Sequence, residues 1–182
     1  MTLRRICDDV DISAALAEVL AAPELWGEHP ERTSYADSAH RETQDIWLRF
    51  RDERTLTDPA EYDRPHWSVW YPAMERLPSL KPLILDVMRR IDGTHLGGCL
   101  MTRIPGGKRV YPHIDTGWHA STMNTKAYLI LQANDGCLNM CGDDVAIMRT
   151  GSVWTFDNSK LHSVLNNGRS DRIACIVTCR VE

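Results

Sequence analysis

The stretch RVYPHIDTGWHA, residues 109–120, places two histidines and an aspartate within seven residues. Its first half has the apolar and aromatic residues of a short β-strand. The flanking sequences IPGG and TGW supply a proline and glycines at the points where such a strand would turn sharply. Side chains two positions apart in a strand point to the same face, so His113 and Asp115 are expected to lie side by side. The stretch is predicted to hold these polar groups at the mouth of a β-barrel.

His113 and Asp115 form half of a candidate metal site. An imidazole and a carboxylate on one strand face can bind a single ion without distorting the backbone. The same HxD pattern also occurs on solvated polar strand edges, and taken alone it does not separate the two interpretations. His162, at the start of the later segment LHSVL, is the candidate third ligand. His119 is ranked below it, because His119 lies in a turn after the strand and lacks the same anchoring.

The chain after Gly93 consists of short apolar segments separated by turn residues. Eight strands are predicted there, in the segments LGGCLMTRI, RVYPHID, KAYLILQA, CLNMCG, DVAIMR, SVWTF, LHSVL and RIACIVTCRV. Regular spacing of this kind is typical of a small sandwich or barrel. The predicted fold class is therefore mainly β with flanking helices (α+β), built on a β-jelly roll.

The first half of the chain has a different character. Helix-forming residues with apolar positions three and four apart predict helices over residues 11–22 and 79–91, with Ser79 as a possible N-cap of the second. The segment IWLRFRDE alternates as a strand does, and the proline-rich residues 55–78 are expected to form a long ordered loop.

Chain length and sequence composition predict one domain over residues 1–182. In this interpretation, a helical and loop-rich half, residues 1–94, packs against a jelly-roll core, residues 95–182, which carries the metal site. The sequence contains no internal repeat and no low-complexity linker that would separate the two halves.

Charge and cysteine content limit the classes of partner and compartment. A net charge of -4 without a basic cluster gives no reason to expect nucleic acid as a partner. No apolar run is long enough for a membrane span, and the charged N-terminus differs from a secretory signal, so a cytoplasmic protein that binds no membrane is expected. The six cysteines are then expected to be reduced. The sulfurs of each CxxxC pair would lie roughly 13 Å apart along a strand, which favours core packing over a zinc site.

Arg172 lies ten residues after His162, in the apolar final segment RIACIVTCRV. A buried arginine needs an anionic partner. A salt bridge to an internal Asp or Glu is one explanation, and a bound carboxylate is the other.

The order HxD, distal histidine and arginine ten residues later resembles the Fe(II)/2-oxoglutarate-dependent oxygenases. The segments RIPGGKRVYPHIDTG, GSVWTFDNSKLHSVLNNG and SDRIACIVTCRV are similar to the aspartyl/asparaginyl β-hydroxylase-like branch, over roughly residues 96–181. This resemblance implies a cupin-like double-stranded β-helix. It also implies that His113, Asp115 and His162 bind Fe(II) and that Arg172 binds 2-oxoglutarate, with O2 as the other cosubstrate.

Five further residues are candidate contacts. Thr102, Lys126 and Tyr128 fall near positions that help to bind the cosubstrate in the family, although Lys126 and Tyr128 could equally lie at the edge of the core. Trp118, in a predicted rim loop, and Arg49, in a strand expected to cover the barrel mouth, are candidate substrate contacts. A lid and a solvated strand face, respectively, are the alternatives.

The predicted function is that of a 2-oxoglutarate-dependent dioxygenase that hydroxylates an unactivated C–H bond. Its substrate would be an Asp or Asn side chain in a peptide, a free amino acid or another small molecule. One alternative is a non-catalytic cupin-like protein that binds a metal or an anion. The other is a cupin metalloenzyme that does not use 2-oxoglutarate. Arg172 separates these hypotheses, because neither alternative requires a buried cation at that position.

Overall fold

Two antiparallel β-sheets form the centre of the molecule, and the computed structural model describes residues 2–52, 54 and 64–182. The strands are β1 (Leu3–Cys7), β2 (Gln44–Arg51), β3 (Ser68–Trp70), β4 (Gly93–Ile104), β5 (Arg109–His113), β6 (Thr125–Gln132), β7 (Cys137–Cys141), β8 (Asp144–Ile147), β9 (Val153–Phe156), β10 (His162–Asn166) and β11 (Arg172–Val181). All eight strands predicted after Gly93 are present.

Four α-helices accompany the sheets within the described residues. They are α1 (Ser13–Ala21), α2 (Ala73–Arg76), α3 (Leu80–Arg90) and α4 (Gly117–Thr122), with a 3-10 turn over Pro23–Leu25. The two long helices confirm the sequence prediction. None of the helices in the described residues is both long and apolar enough to cross a membrane.

The larger sheet has the strand order β1-β9-β6-β11-β4-β2-β3, and the smaller sheet has the order β5-β10-β7-β8. The two together form the predicted jelly roll. Strands β1 and β2, from the first half of the chain, pair with β9 and β4 from the second half. The site described below lies at the end of the smaller sheet where β5 ends and β10 begins.

Strand β11 shows how the sequence pattern creates two cores. Its residues Ile173, Cys175 and Val177 pack with α1 and α3 on the outer face of the larger sheet. Ala174 and Ile176 alternate with them and pack between the two sheets. Because successive side chains in a strand point to opposite faces, an almost continuous apolar strand serves both layers.

Several elements differ from the sequence prediction. The charged N-terminus contains strand β1, and the predicted loop over residues 55–78 contains β3 and α2; residues 55–63 of that loop lie outside the described residues. The predicted rim loop after Asp115 contains α4. Ser79 does not cap α3 with its side chain; its hydroxyl instead donates to Glu18 at 2.5 Å.

Helix α3 offers a direct test of the outer core. Ile84 is 0% exposed, whereas the next residue, Leu85, is 48% exposed. We expect Ile84→Ala to lower the free energy of unfolding by about 2–5 kcal/mol, because it removes buried methyl groups and leaves a cavity. Leu85→Ala is the matched control and should change it by less than about 0.5 kcal/mol. Urea unfolding measures both, and equal losses would contradict this assignment of the buried face.

All six cysteines are free thiols, and those of both CxxxC pairs are buried, as predicted. Burial raises the pKa of Cys175 and of Cys179 from 9.0 to about 12. The thiolate is the reactive form, so neither should react with Ellman's reagent at pH 8 in the native protein, whereas the half-buried Cys7 should react first.

The raised pKa values of these two thiols also predict how the free energy of unfolding depends on pH. Between about pH 9 and pH 12 the unfolded chain loses these protons while the folded chain keeps them, so the stability should fall as the pH rises through this range. Mass spectrometry of the labelled protein identifies the reactive thiols. Labelling of Cys175 without prior unfolding would contradict the burial argument.

Candidate metal centre

His113, Asp115 and His162 meet at one end of the smaller sheet. His113 is the last residue of β5, His162 is the first of β10, and the two are direct partners in the antiparallel pairing of these strands. One potential ligand atom from each of the three residues lies within 4.8 Å of the others. The three predicted ligands are therefore brought together, although His162 lies 49 positions after His113 in the chain.

Both imidazoles have the same local hydrogen bond. His113 Nδ1 lies 2.8 Å from the carbonyl of Tyr111, and His162 Nδ1 lies 2.9 Å from the carbonyl of Lys160. A carbonyl can only accept, so each Nδ1 carries a proton, and in the neutral imidazole the lone pair then lies on Nε2. The two Nε2 atoms are buried and make no hydrogen bond within the described structure.

The two Nε2 atoms point towards the same carboxylate oxygen. Asp115 Oδ1 lies 3.5 Å from His113 Nε2 and 3.8 Å from His162 Nε2. Burial, and then the nearby charge of Lys126, lower the pKa of His162 to about 4, so its imidazole is neutral at neutral pH. Two neutral imidazoles and one carboxylate are the donor set that a 2-His-1-carboxylate iron site requires.

The other oxygen of Asp115 is engaged by the protein. Asp115 Oδ2 accepts from Lys126 Nζ at 2.5 Å and from Asn158 Nδ2 at 3.1 Å. Burial raises the pKa of Asp115, but the charge of Lys126 and the hydrogen bond from its ammonium group lower it well below its ordinary value. The carboxylate is therefore ionised, with one oxygen fixed and the other facing the histidines.

Arg172 is fully buried between the sheets, with 0% of its surface exposed. Its Nη2 donates to Asn139 Oδ1 at 3.0 Å, and its guanidinium carbon lies 5.0 Å from the centre of the Tyr128 ring. Its Nε has no hydrogen-bond partner, and no carboxylate of the described chain lies within 4.0 Å. The internal salt bridge considered from the sequence is therefore absent from this part of the chain.

Thr102, Tyr128 and Lys126 occupy different surroundings. Thr102 is buried and its hydroxyl has no hydrogen-bond partner in the described part of the chain, while burial raises the pKa of Tyr128 to about 12. Lys126 contacts Asp115, so it lies at the metal-ligand candidates.

A small cavity of about 10 Å³, lined by Tyr128, Asn139 and His162, leaves room for a dicarboxylate only after side chains move. Two of its lining residues are methionines, whose unbranched side chains adapt readily.

A larger cavity of about 610 Å³ opens beside the three residues. Asp115, Lys126, Asn158 and Arg49 are among its lining residues. Trp118 lies instead on α4, in the lining of a neighbouring cavity of about 560 Å³ that Arg49 also lines. The two predicted substrate contacts therefore meet at the second cavity, and only Arg49 reaches the first.

Three residues of the site were not foreseen. Asn158 bonds Asp115, Asn139 bonds Arg172, and the ring of His40 packs edge-on against His113 with centroids 4.7 Å apart. Asn158 follows a strand in the turn DNSK four residues before His162, and this proximity is the only local signal that the sequence contains. Nothing in the sequence around Asn139 or His40 indicates these contacts.

Comparison with solved structures defines the fold class. An oxidoreductase of the 2OG-Fe(II) oxygenase family from Burkholderia pseudomallei matches with a TM-score of 0.57 and 13% identity, over 90% of this chain and 77% of that one. A prolyl-4-hydroxylase from Pseudomonas putida matches with a TM-score of 0.51 and 15% identity, over 100% of this chain and 93% of that one. At these identities the likeness concerns the fold, which is the jelly roll of this oxygenase class.

The sequence itself matches the model of the aspartyl/asparaginyl β-hydroxylase family over residues 15–181. The chain belongs to this family, and the recognition made from the HxD, histidine and arginine motifs is confirmed. It is accordingly a hydroxylase of the 2-oxoglutarate-dependent class. No curated protein matches the sequence.

The ion pair between Lys126 and Asp115 can be tested without any metal. We expect Asp115→Asn to lower the free energy of unfolding by about 3 kcal/mol, because it leaves a buried ammonium group without its counter-charge. In a Lys126→Met background the same substitution should cost less than about 1 kcal/mol. Urea unfolding in the presence of a chelator measures both losses.

Asp143→Asn provides the matched control, since Asp143 is exposed. It should leave the free energy of unfolding unchanged in both backgrounds. Equal losses for Asp115→Asn with and without Lys126 would mean that the two groups are not coupled.

Proposed function

We propose that His113, Asp115 and His162 bind Fe(II), and that Arg172 binds the carboxylate of 2-oxoglutarate that lies farthest from the iron. The observation that carries this proposal is the pair of buried Nε2 atoms, both without hydrogen bonds and both facing the same oxygen of Asp115. A structural histidine pair would be expected to satisfy these atoms within the protein.

The donor set also fits the chemistry of the group. Each imidazole is fixed by a backbone carbonyl on Nδ1, which sets the tautomer that a metal ligand needs. Lys126 and Asn158 hold one oxygen of Asp115, so the carboxylate would offer its other oxygen to the ion. Asp115, the carboxylate ligand of the proposed set, is thereby held in place before any metal binds.

Arg172 would receive the cosubstrate as a dicarboxylate. A guanidinium can pair with a carboxylate through two parallel hydrogen bonds, and its Nε is available. Asn139 already holds its Nη2, which fixes the direction of the side chain. Thr102, with its unpartnered hydroxyl, and Tyr128, beside the guanidinium, are the further groups proposed to contact the cosubstrate.

When bound, iron and 2-oxoglutarate supply the oxidation of a substrate C–H bond to an alcohol by O2, with 2-oxoglutarate converted to succinate and carbon dioxide. The chain would contribute orientation and an apolar wall. Apolar residues line part of the 610 Å³ cavity beside Asp115 and would limit the access of water to the reacting C–H bond; they are Trp47, Phe50, Leu100 and Ile176. Their packing also restricts where the substrate carbon can lie.

The substrate is proposed to be a small molecule or a peptide, reached in the cytoplasm, with no role for nucleic acid or membrane. The net charge of -4 supports this proposal, because it provides no attraction for a polyanion. We further propose that residues 1–182 act as a single oxygenase domain, since β2, from the first half, supplies Trp47, Arg49 and Phe50 to the cavity beside Asp115.

Anaerobic titration with Fe(II) and then with 2-oxoglutarate tests the proposal. We expect one Fe(II) to bind and the visible absorption of an Fe(II)–2-oxo acid complex to follow. His113→Ala should lose both signals. Arg172→Lys should keep the iron but raise the 2-oxoglutarate concentration needed for half-saturation by about tenfold to a hundredfold, because a lysine cannot form the paired hydrogen bonds.

Arg103→Lys is the matched control. Arg103 lies on the neighbouring strand β4 and is already directed at Asp171, 4.0 Å away. Its substitution should leave both titrations unchanged. Iron binding without any response to 2-oxoglutarate in the unmodified protein would favour a cupin metalloprotein and overturn the hydroxylase mechanism.

A further inference from the structure

The 560 Å³ cavity beside the proposed iron site has an unusual lining. Arg49 and Met123 line both this cavity and the 610 Å³ cavity that contains Asp115, so the two cavities are neighbours. Its described lining includes two arginines, two histidines and two tryptophans, namely Arg49, Arg180, His66, His95, Trp67 and Trp118. No aspartate or glutamate occurs among these described lining residues, although acidic residues outnumber Lys and Arg by 25 to 21 in the chain.

Arg49 lines both cavities, and the protein provides few hydrogen bonds to its guanidinium group. Its Nη2 lies 3.4 Å from the carbonyl of Leu96, which is a long contact, and its Nε is buried without a hydrogen-bond partner among the described residues. Its guanidinium carbon lies 5.2 Å from the centre of the Trp70 ring. Within residues 2–52, 54 and 64–182, no carboxylate lies within 4.0 Å of it.

Other shielded arginines of the chain show what a structural role looks like. Arg32 forms two hydrogen bonds to Asp45, at 2.8 and 3.2 Å, and Arg103 faces Asp171. Arg49 resembles Arg172 instead, since neither has a carboxylate partner in the described part of the chain. Burial lowers the pKa of Arg49, so its surroundings disfavour the charge that it carries unless an anion is added.

Arg49 lies where its charge could contact a substrate in the cavity beside Asp115. Phe50 follows Arg49 on β2, and Phe50 and Arg49 both line the cavity that contains Asp115. An occupant of that cavity would therefore meet a guanidinium at the side shared with the second cavity. The same occupant would meet the apolar residues that line this cavity together with Asp115, Leu100 and Ile176 among them.

We propose that Arg49 binds an anionic group of the substrate, a carboxylate or a phosphate, and that the substrate is an amphipathic organic anion whose apolar part extends towards Asp115. This inference rests on the proposed function, because it assigns the hydroxylated C–H bond to the apolar part. Arg49 would fix one end of the molecule and thereby select which carbon reaches the iron site.

Three matched probes test the assignment by calorimetry, in protein loaded anaerobically with Fe(II) and 2-oxoglutarate. They are 4-phenylbutyrate, 3-phenylpropyl phosphate and the neutral 4-phenylbutyramide. We expect at least one of the two anions to bind, and the tighter one identifies the anionic group. Arg49→Gln should weaken its binding by about tenfold or more, as expected for a lost charged hydrogen bond, and Arg49→Lys should recover part of the affinity.

The neutral amide and a second arginine are the controls. Arg49→Gln should not weaken the binding of 4-phenylbutyramide, and Arg103→Gln should leave all three affinities unchanged. The 2-oxoglutarate titration of Arg49→Gln should match that of the unmodified protein. An increase like that expected for Arg172→Lys would assign Arg49 to the cosubstrate and overturn the proposal.

Two other results would also overturn it. One is saturable binding of neither anion to the unmodified protein, and the other is equal anion affinity with and without Arg49. Failure of the proposed function itself is distinguishable, because it would abolish the responses to Fe(II) and 2-oxoglutarate. Anion binding to metal-free protein, with its dependence on Arg49, would still be measurable.

Discussion

The antiparallel pairing of β5 with β10 is the constraint on which the site depends. It sets His113 directly opposite His162, and the chain between them only has to return in the correct register. A slip of one residue would turn His162 to the opposite face of the sheet and remove it from the site. Strand β7 pairs with the other side of β10 and opposes His162 with Cys141, so the register is fixed from both sides.

Several buried charged and polar groups around this pairing have no partner within the described protein. Asp115 satisfies Lys126, but Arg172 and Arg49 have no carboxylate among the described residues, and two imidazole nitrogens have no donor. Buried polar groups without partners cost free energy, and folded proteins rarely retain them. Their concentration within one region distinguishes this site from a structural polar network, in which each group would be paired internally.

The sequence predicted the parts that depend on local periodicity or motif spacing. The eight strands after Gly93 and both long helices follow from patterns of two and of 3.6 residues, and the motif order identified the family. Strand β1 was missed because the charged sequence LRRIC lies at a sheet edge, where burial imposes little pattern. The partners Asn139 and Asn158 were missed because their roles depend on which loops and strands meet, and no local pattern records this.

Lys126 was identified from the sequence as a candidate site residue, but its contact with Asp115 was not. Its strand and its face could be predicted, and its family position suggested a cosubstrate contact; the structure places its ammonium group 2.5 Å from Asp115. An HxD motif places an imidazole and a carboxylate two positions apart, here with Asp115 just beyond the end of β5, but it does not specify which oxygen is free to bind. That choice comes from Lys126 and Asn158, which occupy one oxygen and leave the other facing both histidines. The motif is therefore a weak signal in the sequence and becomes specific only through contacts that the fold supplies.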